Sequence, residues 1–220
     1  VSDGTDPLAG GPYTFAITVA AANDAPTLAT NAGLAVDEGD TDTPITQSEL
    51  QVSDVDNGPA ELTYTLVTAP GNGTLSRDGT ALGAGDTFTQ QDIHSGLITY
   101  SHDGSETASD SFDFNVSDGT DPLAGGPFTF AITVDAANDA PTLATNAGLT
   151  VDEGDSNTPI TQSELQVSDV DSGPDELTYT LATAAGNGTL SRDGVALVAG
   201  DTFTQQDIND GLITYSHDGS

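Results

Sequence analysis

Cysteine, methionine, tryptophan and lysine are all missing from this chain. Without cysteine there are no disulfides and no thiolate ligands, which excludes zinc–thiolate and iron–sulfur chemistry. Arg77 and Arg192 are the only cationic Lys/Arg side chains, against 35 acidic ones, for a formal charge of −33. Phosphate recognition needs clustered Lys and Arg, so nucleic acid is excluded as a partner, and anionic lipid surfaces are disfavoured for the same reason. No apolar run reaches the length of a membrane-spanning helix, so no direct membrane insertion is expected. With neither an initiator Met nor a signal sequence, the chain reads as an excerpt of a longer one. Aromatics make up only 5% of the residues, so any core must rest on Leu, Ile, Val and Ala with a few Phe and Tyr.

What is present is repetition. Residues 1–22 return as residues 116–137 with two substitutions, Tyr13→Phe128 and Ala20→Asp135, an offset of 115 residues. At the same offset Asn23–Ser105 returns as Asn138–Ser220 with eleven changes, nearly all in expected turns. A period of this size is a whole domain and lies far above solenoid units. The expected organisation is the C-terminal strands of a preceding module at 1–22, a complete module at 23–137, and a second module at 138–220 without its last two strands.

The apolar residues alternate in short runs between turn formers, the pattern of strands. Strands are expected at Thr14–Val19, Leu34–Val36, Leu50–Val52, Leu62–Leu66, Leu97–Tyr100, Asp110–Val116 and Phe128–Val134. Pro70–Gly73 predicts a hairpin returning into Thr74–Ser76, and Arg77-Asp78-Gly79 a second tight turn. Thr46–Glu49 and Thr89–Asp92 each have the spacing of a capping box and predict a single helical turn. About seven short strands per module with no long helical pattern point to an all-β fold, an antiparallel β-sandwich with Greek-key connections.

Three stretches carry a resemblance: L-T-Y-T-L-V-T-A-P-G-N-G-T-L at 62–75, F-T-Q-Q-D-I-H-S-G-L-I-T-Y-S-H-D-G-S-E at 88–106, and D-S-F-D-F-N-V-S-D-G at 110–119. Together they resemble the chondroitin sulfate proteoglycan repeat, a cadherin-like module of animal matrix proteins and of very large bacterial surface proteins. The N-D-A-P links at Asn23–Pro26 and Asn138–Pro141 are similar to those of tandem arrays in giant bacterial adhesins. The resemblance implies tandem cadherin-like, Ig-like sandwiches used as an extracellular extender. Near-identical copies without cysteine look more like a bacterial array, placed at the cell surface, than like an animal protein.

The resemblance also implies calcium at module junctions. Asn23, Asp24, Asn138 and Asp139 match the linker motif, Asp54 with Asp56 and Asp169 with Asp171 match the D-x-D corner, and Glu38 matches the acid after the first strand. Asp103 and Glu106 stand where D-R-E is expected, with Gly-Ser replacing Arg, and Asp118 matches the acid closing the second-last strand; Asp3 is its copy one period earlier. Calcium takes six to eight oxygen ligands from flexible acidic turns, so the residue types suit it independently of the family. Glu38, Asp103 and Glu106 would come from one module, Asn138 and Asp139 from the link, and Asp169 and Asp171 from the next. The alternative is that these Asp residues only make turns and that the acidity keeps a long molecule soluble.

Other chemistry is weaker. Ser101-His102-Asp103 sets triad residue types side by side, but strand neighbours point to opposite faces, so no enzyme is expected and His102 reads as a surface or loop residue, or a minor site contact. His94 becomes Asn209 in the next copy and has no role common to both. The acidic run from Asp54 lacks the sixth-place Gly and twelfth-place Glu of an EF-hand. The function expected is a stiff, calcium-rigidified spacer in a secreted or surface-anchored adhesin or fibre. The alternatives are a module that binds glycan or protein through its loops, and a filament subunit in which residues 1–22 of one copy complete the second module of a neighbouring copy head to tail.

Overall fold

The computed structural model describes every residue except Val1, Asp3, Pro7 and Leu8. It divides into two compact units, 1–135 and 136–220.

In the first unit the strands are β1 (Thr27–Asn31), β2 (Leu34–Asp37), β3 (Thr43–Pro44), β4 (Leu50–Ser53), β5 (Thr63–Thr68), β6 (Gly73–Arg77), β7 (Thr80–Ala81) and β8 (Thr87–Thr89). The helix α1 (Gln90–His94), β9 (Ile98–His102), β10 (Ser109–Ser117) and β11 (Phe128–Asp135) complete it. A five-stranded sheet runs β2-β11-β10-β5-β8, a four-stranded sheet β3-β9-β6-β7, and β1 pairs with β4. All pairings are antiparallel except β2 with β11, which is parallel with Leu34 opposite Ile132 and Asp37 opposite Asp135. One face of every long strand points inward. Phe112, Phe114 and Val116 of β10, Phe130, Ile132 and Val134 of β11, and Tyr64 and Leu66 of β5 meet Leu75 of β6, Ile98 and Tyr100 of β9, and Leu50 and Val52 of β4 in one core. Tyr64 stacks on Phe88 with centroids 4.7 Å apart, and Phe112 on Phe130 at 4.9 Å. This is the all-β sandwich the alternation predicts.

Two local expectations change. The turn at Pro70–Gly73 is not a hairpin: β5 pairs with β10 and β8, whereas β6 pairs with β9 and β7. The chain crosses there from one sheet to the other, so that Leu66 and Leu75 enter the core from opposite layers. Asp110 holds the crossing through the backbone N–H groups of Gly71 (2.9 Å) and Asn72 (3.0 Å). Thr14–Val19 is not a strand. Among the described residues it has no ladder partner, which leaves Phe15 87% and Val19 86% exposed. A β-pattern needs a neighbouring strand to become one.

The two capping boxes differ in outcome. Thr89 caps α1 reciprocally with Asp92. Thr46 and Glu49 make the same kind of bonds, with Thr46 N–H donating to Glu49 Oε2 at 2.8 Å, but enclose only a turn before β4. The tight turn at Asp78–Gly79 joins β6 to β7, both residues having positive φ.

In the second unit the elements are β12 (Thr142–Asn146), β13 (Thr158–Pro159), β14 (Leu165–Ser168), β15 (Thr178–Thr180), β16 (Gly188–Arg192), β17 (Val195–Ala196), β18 (Thr202–Thr204), α2 (Gln205–Asn209) and β19 (Ile213–His217). Residues 150–152, which repeat most of β2, form no strand. Their ladder partner in the first unit is β11, and no counterpart of β10 or β11 occurs in the second. The core is correspondingly thin. Phe203, Ile208 and Ile213 are buried, while Leu165, Tyr179 and Leu190 are only partly covered.

Candidate functional site

Topology sets two acidic clusters at opposite ends of the five-stranded sheet. β2 and β11 run parallel and finish together at Asp37 and Asp135. β10 runs antiparallel to β11 and finishes at Ser117, beside the start of β5. At about 3.3 Å per strand residue, Asp118 and Glu38 are on the order of 25 Å apart.

The first cluster gathers Asn23, Asp24, Asp54, Asp56 and Asp118 and adds Asp121. Asn23 Nδ2 donates to Asp118 Oδ2 at 2.8 Å and to Asp121 Oδ2 at 3.0 Å. The backbone N–H of Asp24 donates to Asp56 Oδ2 at 2.8 Å. Asp118 Oδ1 accepts from the N–H groups of Thr120 (2.7 Å) and Asp121 (2.6 Å). The Asn23 amide first, and then these backbone donors, hold the Asp118 carboxyl below the usual aspartate range. Asp54 Oδ1 closes its own turn by accepting from the N–H groups of Asp56 (2.7 Å) and Asn57 (2.9 Å). Its other oxygen, Asp54 Oδ2, is shielded from solvent with no hydrogen-bond partner, and so is Asn57 Oδ1.

A shielded carboxylate oxygen without a donor is costly unless something positive meets it. The second unit repeats the arrangement. Asp139 N–H donates to Asp171 Oδ2 at 2.6 Å, and Asp169 Oδ1 accepts from Asp171 (2.9 Å) and Ser172 (2.8 Å). Asp169 Oδ2 is again shielded and unpartnered. Asn138 Nδ2 donates to the Asp139 carbonyl at 2.7 Å. The donor set is all oxygen, carboxylate with amide carbonyl, which fits a hard divalent cation such as calcium.

The second cluster holds Glu38 after β2 and the 103–106 loop after β9. Glu38 and Glu106 each bring one carboxylate oxygen to within 4.8 Å of the other. Asp103 lies in the same loop and accepts from the Ser105 N–H at 3.0 Å; the Ser105 side chain first, and then this N–H, hold its carboxyl below the usual aspartate range. The topology thus separates the candidate ligands of the first unit, with Asn23, Asp24, Asp54, Asp56 and Asp118 at one end and Glu38, Asp103 and Glu106 at the other. Asp3 lies outside the described residues.

Three residues of these ends escape the sequence reading. Asp121 and Asn57 had a signal, since both sit in Asp-rich turns beside chosen residues. His102 is placed differently from expectation: it is buried on β9, with its ring against Gly39, Gly104 and Thr107. Ser101 Oγ instead accepts from the Asp42 N–H at 2.9 Å, so Ser101 and His102 point apart and form no triad. Among the described residues no helix is long and apolar enough to cross a membrane.

The model of the cadherin-like family matches residues 26–134 and again 141–220. The mouse extracellular matrix organizing protein FRAS1 is 36% identical over 219 residues, covering 92% of this chain and 5% of that protein. Extracellular matrix protein 3 of Lytechinus variegatus is 32% identical over 202 residues, 89% of this chain and 6% of that protein. Mouse chondroitin sulfate proteoglycan 4 is 35% identical over 165 residues, 72% of this chain and 7% of that protein. The chain therefore spans only a small fraction of the length of these relatives. No solved structure matches it significantly. With family matches over both units and a β-sandwich in the first, the chain belongs to the cadherin-like family.

Proposed function

We propose that this chain is a stretch of extracellular spacer whose modules are stiffened by calcium at their acidic ends. The observation that carries the reading is the shielded, unpartnered oxygen of Asp54, repeated at Asp169, each among further carboxylates. The hydrogen bonds of these turns leave out the same Asp oxygen in both copies, and Asn57 Oδ1 besides in the first. Solubility alone does not require a carboxylate oxygen turned away from water. An ion bound there neutralises the cluster and ties the Asn23–Asp24 link to the body of its module.

Matrix and proteoglycan relatives support an extracellular structural or adhesive role over catalysis. Near-identical tandem copies support a spacer, and together with the lack of cysteine they support a bacterial surface array. The test is a thermal melt of the chain in millimolar calcium and in excess chelator. A ligand that binds only the folded state raises its stability. A calcium-dependent rise of several degrees, lost in Asp54→Asn together with Asp169→Asn, is expected. Superimposable melts would overturn the calcium reading and favour a module that binds glycan or protein through its loops.

One observation favours head-to-tail assembly as a second reading. Residues 14–19 repeat the sequence of β11 within residues 129–134, and their apolar side chains Phe15, Ile17 and Val19 are exposed. A neighbouring copy offers residues 149–152 in the place that β2 gives to β11. Sedimentation velocity decides it: concentration-dependent oligomers are expected, and a monomer at all concentrations removes the reading.

A further inference from the structure

The ring of His102 occupies a place no acidic-motif argument accounts for. Its side chain is fully shielded from solvent, yet it is polar and lies at the acidic end of the module. Nδ1 faces two backbone donors, the N–H of Gly39 and the N–H of Gly104, each at 3.2 Å. An atom that accepts from two N–H groups carries a lone pair. The proton of the neutral ring is therefore on Nε2, which lies 3.1 Å from Thr107 Oγ1 and donates to it. The backbone N–H of His102 adds a fourth tie, to the Asp40 carbonyl at 2.8 Å.

The residues so gathered are the immediate neighbours of the acids. Gly39 follows Glu38, Gly104 follows Asp103, and Thr107 follows Glu106. Gly39 and Gly104 have φ of +73° and +78°, a conformation that L side chains rarely adopt. Two loops distant in sequence are thus pinned to one ring, and their carboxylates at Glu38 and Glu106 come within 4.8 Å although like charges repel.

The second unit repeats the Nδ1 contacts. His217 Nδ1 accepts from Gly154 N–H at 3.3 Å and from Gly219 N–H at 3.0 Å, and those glycines again have positive φ. The two Nδ1 contacts thus recur one period apart.

We infer that His102 is the positioning residue of this acidic end: an imidazole whose Nδ1 draws the Glu38 loop and the 103–106 loop together so that their carboxylates can share one cation. The cation part rests on the calcium reading above, whereas the clamp itself does not. Asparagine sets a carbonyl oxygen where Nδ1 stands and glutamine sets its amide group where Nε2 stands, so the pair separates the two ring atoms.

The experiment uses the whole chain, isotopically labelled, with His102→Asn and His102→Gln beside wild type. In chelator the wild-type ring is expected to show an unprotonated Nδ1 and a protonated Nε2 by nitrogen chemical shift. The amides of Gly39 and Gly104 are expected to be protected from exchange in wild type and H102N and unprotected in H102Q. In calcium titrations followed at the Glu38 and Glu106 resonances, H102Q is expected to weaken binding on the order of tenfold or more, as loss of an outer-shell orienting group does, while H102N stays near wild type. A proton on Nδ1, or equal behaviour of the two variants in exchange, overturns the clamp. If wild type binds no calcium at these resonances, the cation part falls and the spectrum and exchange still decide the clamp. A melt in chelator confirms that each variant is folded.

Discussion

Asn23 and Asp118 are 95 residues apart in the chain and 2.8 Å apart in the fold, with the Asn23 Nδ2 donating to Asp118 Oδ2. The amide nitrogen sits against two carboxylates, since Asp121 Oδ2 also accepts from it at 3.0 Å. It thereby fills in part the role of a cation, and rotation of the same amide would present its oxygen as a ligand. This contact ties the linker segment to the loop after β10.

Asn23→Ala is expected to lower the melting temperature in chelator at neutral pH, with an effect that disappears in acid. The Asp118 carboxyl is held below its usual range, chiefly by Asn23. A group with a depressed folded pKa contributes stability above its unfolded pKa of about 3.9, and that contribution is lost as pH falls through the folded value. Melts of wild type and N23A should differ most near pH 7 and converge below about pH 4. A pH-independent difference would assign the effect to packing.

His94→Asn is expected to stabilise the first unit. Gln90 is buried, and its Oε1 accepts from Tyr64 OH at 2.6 Å and Val52 N–H at 2.8 Å, but its Nε2 has no partner. In the second unit Gln205 Nε2 donates to Asn209 Oδ1 at 3.0 Å, four residues along the helix. Asparagine at 94 supplies the same acceptor, a gain of about 1 kcal/mol, visible as a rise of a few degrees in the melt of the first unit.

Phe88→Ala and its counterpart Phe203→Ala should differ in cost. Phe88 stacks on a fully buried Tyr64, whereas Phe203 stacks at 4.9 Å on a Tyr179 that is only partly buried. Removing Phe88 should cost about 3–5 kcal/mol in denaturant unfolding. The loss at Phe203 should be smaller, because the cavity opens to water. Equal losses would mean the second unit is as closed as the first.

Gly73→Ala is expected to be strongly destabilising although Gly73 is not among the positive-φ glycines. An added Cβ would press on the Tyr100 hydroxyl and the Ser101 carbonyl of the paired strand. Overpacking of this kind costs about 1–3 kcal/mol, read from chemical denaturation, while Gly83→Ala, facing only the Asp86 side chain, should be nearly neutral.

The amino-acid sequence alone determined the period of 115 residues, the all-β class, the inward face of Phe112–Val116, the Thr89–Asp92 cap and most of the acidic residues that gather. These are local or periodic properties, set by alternation, turn chemistry and side-chain type within a few residues. Tertiary structure decided what depends on partners distant in the chain. The turn at Pro70–Gly73 became a crossing between sheets because Leu66 and Leu75 are needed in opposite layers. Thr14–Val19 remained without a ladder because a strand exists only beside another. Burial of His102, and its choice of Gly39 and Gly104, follows from β9 passing under the loop after β2, 63 residues away in the sequence. The acids were legible, and so was the grouping of Glu38 with Asp103 and Glu106 apart from the link and the D-x-D corner, but the contact of Asn23 with both Asp118 and Asp121 was not, since it joins residues 95 and 98 positions apart in the chain.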